Sequence, residues 1–133
     1  MLTIVDYNSG NLRSVKRACD ALGVDSRLSQ DPEVVRRADR LIFPGVGQAV
    51  QAMQTLRGDG LDEALREALQ RGVPILGICI GAQVILEHSE EGDTPCLGLI
   101  PGRVTRFQSE DRSLKIPHIG WNEVRVDRPH PVL

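Results

Sequence analysis

Long apolar runs are missing from this chain. No stretch approaches the length of a membrane span, so no membrane-spanning helix is expected within it. The short apolar run at the N-terminus is broken by Asp6, so it does not read as a signal peptide, and the expected location is the cytoplasm. Charge of one sign is also missing. A net charge of −2 gives no reason to expect nucleic acid or an anionic membrane as partner. Cysteine is scarce: Cys19, Cys79 and Cys96 are odd in number and form no C-x-x-C or histidine pairing. Neither a disulfide framework nor a metal site is therefore expected. Internal repeats, low-complexity tracts and linkers are absent too. With 133 residues, the expectation is one domain spanning 1–133 with a core of its own.

Short apolar runs alternate with helical patterns, which reads as βαβ units and a parallel sheet. Leu2-Thr3-Ile4-Val5 is the first strand. A helix follows from about Asn11, with Leu12, Val15, Cys19 and Leu22 on one face and Gly23 as its stop. A second strand near Ser26-Arg27-Leu28 precedes Asp31-Pro32, a cap followed by proline at the first helical position. Arg40-Leu41-Ile42-Phe43 is the third strand, and it runs into Pro44-Gly45-Val46-Gly47. Helical patterning covers Ala49 to Leu56, then Leu61 to Arg71. In the second of these Leu61, Ala64, Leu65, Ala68 and Leu69 form one stripe, ended by Gly72. Beyond Leu86, Ser89 to Pro95 reads as a polar loop. Val104 to Phe107 and Glu123 to Val126 alternate like half-exposed strands. Cys19 and Cys96 read as core packing.

The functional signal is concentrated in Gly77-Ile78-Cys79-Ile80-Gly81. The apolar run Val73 to Leu76 enters it as a strand, and Ala82 to Leu86 leaves it as a helix. Small residues flanking a reactive one suit a sharp strand-to-helix turn, where the backbone is strained and closely packed. A cysteine at a helix N-terminus also has its thiolate favoured by the dipole and free N–H groups. The same residues also fit a tight turn holding an inert cysteine. Two further loops belong at this edge of the sheet, Tyr7-Asn8-Ser9-Gly10-Asn11 and Pro44-Gly45-Val46-Gly47. Closely spaced glycines there let backbone N–H groups face a cavity, as an oxyanion hole requires.

Gly77-Ile78-Cys79-Ile80-Gly81-Ala82-Gln83 resembles the nucleophile segment of class I glutamine amidotransferases. Asp6 to Leu12 and Pro117-His118-Ile119-Gly120-Trp121-Asn122-Glu123 resemble, within that class, the glutaminase subunits of imidazole glycerol phosphate synthases. The resemblance implies a doubly wound α/β sheet flanked by helices, without a cofactor. It implies Cys79 as nucleophile and the N–H of Ile80 with a backbone N–H of Val46 or Gly47 as oxyanion hole. Gly45 and Gln83 would contact glutamine. The partner it implies is a (β/α)8-barrel cyclase subunit that consumes the ammonia, met by Asn8, Asn11, Pro117, His118, Gly120, Trp121 and Asn122. Trp121 also fits a core or rim aromatic on a last strand.

The chain departs from that family in one respect. The family's catalytic histidine and glutamate lie in a Gln-Phe-His-Pro-Glu type segment downstream of the glycine–tryptophan motif, and nothing here matches it. The resemblance covers roughly the first two thirds of a typical member, so the domain is expected to be truncated. His88 is expected to cap a helix end or face solvent, and His130 to lie in a loop; neither reads as a replacement base. The alternatives are a non-catalytic cyclase-binding module, another class I amidotransferase, or a cysteine hydrolase on a similar sheet.

Overall fold

Four short parallel strands run side by side in the order β2-β1-β3-β4 in the computed structural model, which describes residues 1–110 and 115–129. They are β1 (Leu2–Val5), β2 (Ser26–Ser29), β3 (Arg40–Phe43) and β4 (Ile75–Gly77). The register sets Thr3 beside Leu41 and Ile42 beside Leu76. The chain builds outward from β1 to β2, then crosses to the other side of β1 for β3 and β4. The strand order therefore reverses between β1 and β3. In such a sheet the crevice for ligands opens at the carboxyl ends of those strands.

The helices are α1 (Leu12–Ala21), α2 (Pro32–Arg36), α3 (Ala49–Gly58), α4 (Leu61–Gln70) and α5 (Ile80–Val84). α1 packs on β1 and β2, while α4 packs against α2 and α3, and α3 also meets α5. Between these helices and the sheet lies the core, including Val5, Leu41, Phe43, Met53, Leu56, Leu61 and Leu65. Asp31 caps α2 as expected, accepting from the Glu33 N–H at 2.9 Å, with Pro32 at the first helical position. Gly23 and Gly72 end α1 and α4 by the same device. Each has a positive φ, and the following N–H returns to the helix, Val24 to Cys19 O and Val73 to Ala68 O.

Several expectations need correction. Leu22 lies beyond the end of α1 and is 79% exposed, and Leu69 is also exposed, so the buried stripes are narrower than their periodicity suggests. The helix after Cys79 begins at Ile80 and ends at Val84, because the chain enters it directly from the cysteine. Residues 88–95 are not an open loop. β5 (His88–Ser89) and β6 (Thr94–Pro95) form a hairpin around a 3-10 turn, Glu91–Asp93. β7 (Arg103–Val104) pairs with β5 and takes in only Val104 of the expected 104–107 strand. Residues 123–126 are exposed and not in a strand. Their alternation anticipates a neighbouring strand, and among the described residues none pairs with them. Cys19 and Cys96 are buried, as their packing role requires.

Candidate active site

At the carboxyl end of β4 the backbone makes the turn that the glycines anticipate. Cys79 has φ 55° and ψ −117°, a conformation that side-chain-bearing residues rarely adopt. Such a strained residue persists only where its surroundings over-determine it. Here they do. A methyl group added to Gly77 would come within 2.8 Å of Ala82 Cα and 2.9 Å of its nitrogen. One added to Gly81 would strike the carbonyl oxygen of Phe43. That same carbonyl accepts the Ile78 N–H at 3.0 Å, so β3 grips both sides of the turn. The two glycines are thus required by close backbone approach, and between them Cys79 is presented exposed.

The nearby backbone donors are open. Among the described residues, the N–H groups of Ile80, Val46 and Gly47 make no hydrogen bond within the chain. Gly45 is buried, while Val46 and Gly47 are exposed. Gln83 is half-buried in α5, and its N–H bonds the Cys79 carbonyl at 3.1 Å. The β1 loop and the β3 turn face one another across a cavity of about 370 Å³, bordered by Asn8, Ser9, Gly10, Val46 and Gly47.

Asn8 and Asn11 both hold left-handed backbone conformations, φ 61° and 58°, which asparagine tolerates better than most residues. The Asn8 N–H bonds Asp6 Oδ1 at 3.0 Å, and its Oδ1 accepts from Gln30 Nε2 at 3.2 Å. Asn11 Oδ1 accepts from the Ser14 hydroxyl at 2.6 Å.

The remaining site candidates lie apart. Pro117, His118, Gly120, Trp121 and Asn122 are exposed, and no hydrogen bond among the described residues ties them to the loops around Cys79. Trp121 is fully exposed and lies in no strand among the described residues. A larger cavity of about 770 Å³ lies in this outer segment, bordered by Phe107, Lys115, Ile116 and His118 and not by Cys79.

Neither described histidine partners the thiol. His88 is half-buried in the small sheet, with Nε2 2.8 Å from Asp93 and Nδ1 3.2 Å from Arg103, rather than capping a helix or facing solvent. His118 pairs with Asn122 Nδ2 at 3.1 Å. His130 lies outside the described residues. Among the described residues, no group of three or more His, Cys, Asp or Glu is placed to hold a metal ion. No helix there is long and apolar enough to cross a membrane.

One residue of this edge carries no sequence signal beyond its position. Tyr7, two residues past the end of β1, is 2% exposed, and burial pushes its phenol pKa up. A neighbouring Ser9 hydroxyl opposes that rise, and the Cys79 charge adds to it.

The chain has relatives among known proteins in sequence and in fold. A model of the CobB/CobQ-like glutamine amidotransferase domain matches residues 3–117. The chain is similar to the imidazole glycerol phosphate synthase subunit HisH of Nitratidesulfovibrio vulgaris, 48% identical over the whole chain and 65% of that relative. It is 46% identical to the subunit of the same name from Chromobacterium violaceum, covering 98% of this chain and again 65% of the relative. The chain thus spans about two thirds of the length of these curated relatives. A solved glutamine amidotransferase structure superimposes on 78% of this chain and 56% of its own, with a TM-score of 0.68 and 24% identity, a likeness of fold.

Proposed function

The chain belongs to the CobB/CobQ-like glutamine amidotransferase family, and from that premise we propose that it is a glutaminase component of an imidazole glycerol phosphate synthase. The observation that carries the reading is the Cys79 turn: a strained, exposed thiol held between two sterically required glycines at the carboxyl edge of a parallel sheet. Cys79 Sγ attacks the side-chain amide carbon of glutamine, and the carbonyl π electrons move onto oxygen. The N–H of Ile80 and that of Val46 or Gly47 receive this oxyanion, where one donor is typically worth roughly 3 kcal/mol of barrier. The proton given up by the thiol passes to the amide nitrogen, the oxyanion re-forms the carbonyl as the C–N bond breaks, ammonia leaves, and a glutamyl thioester remains. Water hydrolyses the thioester to glutamate and returns the thiol. Gly45 and Gln83 hold the substrate.

The relatives are subunits by name, and the partner we assign is the (β/α)8-barrel cyclase that takes up the ammonia in histidine biosynthesis, in the cytoplasm. Asn8, Asn11 and the exposed Pro117, His118, Gly120, Trp121 and Asn122 form the docking surface. Tryptophan is a favoured interface anchor. The general base is assigned to the family's downstream histidine–glutamate segment, because His88 is held by Asp93 and Arg103, and His118 pairs with Asn122. Proton transfer contributes on the order of a hundred- to ten-thousand-fold, so the 133 residues alone are expected to turn over glutamine poorly. A cyclase-activated rate equal to that of a full-length relative would sink that expectation.

Acivicin, a glutamine-analogue electrophile, tests the assignment. Labelling detected by mass should fall on Cys79, be suppressed by excess glutamine, and vanish in Cys79→Ala. Labelling that glutamine does not suppress would leave a reactive thiol without a glutamine site. The chain would then be better described as a cyclase-binding module.

A further inference from the structure

The Tyr7 ring behaves as a core aromatic, packing on Phe43 with centroids 5.4 Å apart at 50°. Its hydroxyl does not. Tyr7 Oη and the neighbouring Ser9 Oγ are buried together, and among the described residues neither forms a well-aligned hydrogen bond beyond that mutual contact. A buried polar group so weakly paired is a net cost to the fold. Both residues border the 370 Å³ cavity whose other side is Val46, Gly47 and Gln51.

The position of that hydroxyl matters more than its cost. A methyl group built on Gly45 would run into Tyr7 Oη, lie 3.0 Å from Cζ and come within 3.4 Å of Ile80 Cβ. The Gly45 backbone is therefore sandwiched between the phenol tip and the first residue of α5. Gly45 does not have a positive φ, so space rather than a dihedral angle dictates glycine here. The sandwich joins the two backbone segments, 45–47 and Ile80, whose N–H groups stand free.

We propose that Tyr7 is a positioning residue: its hydroxyl props the Pro44–Gly47 turn at the height where the turn and the Ile80 N–H converge on one oxygen. The proposal rests on the glutaminase reading of Cys79. A phenol kept for packing alone would lose stability when its tip is trimmed. A phenol kept for positioning would lose turnover instead, and the resting fold would lose little with so weakly paired a hydroxyl.

The test is Tyr7→Phe in the natural full-length chain assembled with its synthase partner. The expected result is a melting temperature equal to or above wild type, with kcat down roughly ten- to a hundredfold and KM changed by less than about twofold. Gly45→Ala adds a second arm. In the wild-type background the new methyl meets the hydroxyl, whereas in Tyr7→Phe the nearest ring atom stands 3.0 Å away. Gly45→Ala should therefore cost less kcat in the Tyr7→Phe background. Unchanged kcat in Tyr7→Phe overturns the proposal, and so does a melting temperature that falls together with kcat. Equal effects of Gly45→Ala in both backgrounds overturn it as well. Wild-type protein that acivicin does not label at Cys79 overturns the glutaminase reading itself. Normal labelling with an inert Tyr7→Phe change overturns only the role of Tyr7.

Discussion

The turn around Cys79 and the segment from Pro117 to Asn122 are motifs of similar length, and both contain glycine beside a chemically distinctive residue. Inside the turn, Gly77 and Gly81 are boxed in by Ala82 and the Phe43 carbonyl, and the identity of each residue follows from its neighbours. In the outer segment Gly120 has open space around its Cα and Trp121 is fully exposed. Gly120 there is favoured by its own backbone, at φ 155°, rather than by a close neighbour. Close packing accounts for the first motif, and the second is the surface proposed above for a partner subunit.

That contrast can be broken by substitution. Gly81→Ala forces a methyl group onto backbone that cannot move freely, and it should destabilise the chain by about 3 kcal/mol in urea unfolding. A loss below about 1 kcal/mol would show that β3 and α5 can separate cheaply. Trp121→Ala should leave the melting temperature unchanged and weaken binding to the proposed cyclase partner by about 2 kcal/mol in calorimetry. Lost stability without lost affinity would return Trp121 to an internal role. Asp31→Ala removes a cap far from both motifs and should cost about 1 kcal/mol. Gly58→Ala is the mirror of Gly81→Ala, because Gly58 has no neighbour within 4 Å and no positive φ in α3. It should stabilise by about 0.5 kcal/mol through helix propensity, read from the denaturant midpoint.

A labelling experiment sharpens the comparison among the thiols themselves. Iodoacetamide should modify exposed Cys79 before Cys19 or Cys96, which are buried. Burial also pushes the Cys96 thiol pKa up, and its Sγ lies 3.3 Å from the Thr94 carbonyl. Faster modification at Cys96 than at Cys79 would contradict the presentation of the nucleophile.

What the sequence made legible was what local rules control. Strands β1, β3 and β4 are apolar runs closed by turns, and the caps at Asp31, Gly23 and Gly72 use backbone chemistry that any reader of the chain can follow. The Cys79 turn was legible because steric demand leaves only glycine at 77 and 81. The exposure of Leu22 and Leu69 was not, since periodicity marks a face without saying how far its cover extends. The hairpin at 88–95 was hidden because its strands are two residues each, too short for alternation. The missing strand at 123–126 shows the converse, an alternating pattern without a neighbour among the described residues to use it. Tyr7 escaped notice because the approach of a side-chain tip to a distant backbone leaves no trace in a string of letters. Only the Gly45 backbone pressed against its hydroxyl draws attention to it.

The backbone angles of Cys79 also bear on how such a protein responds to selection. Glycine visits that conformation freely, whereas a cysteine held there costs about 1–3 kcal/mol. Cys79→Gly should therefore yield a hardier, better-expressed chain. A laboratory lineage screened only for heat tolerance or solubility has a ready path to higher fitness through the loss of its own nucleophile. The persistence of cysteine in such a lineage would require that chemistry be part of the screen.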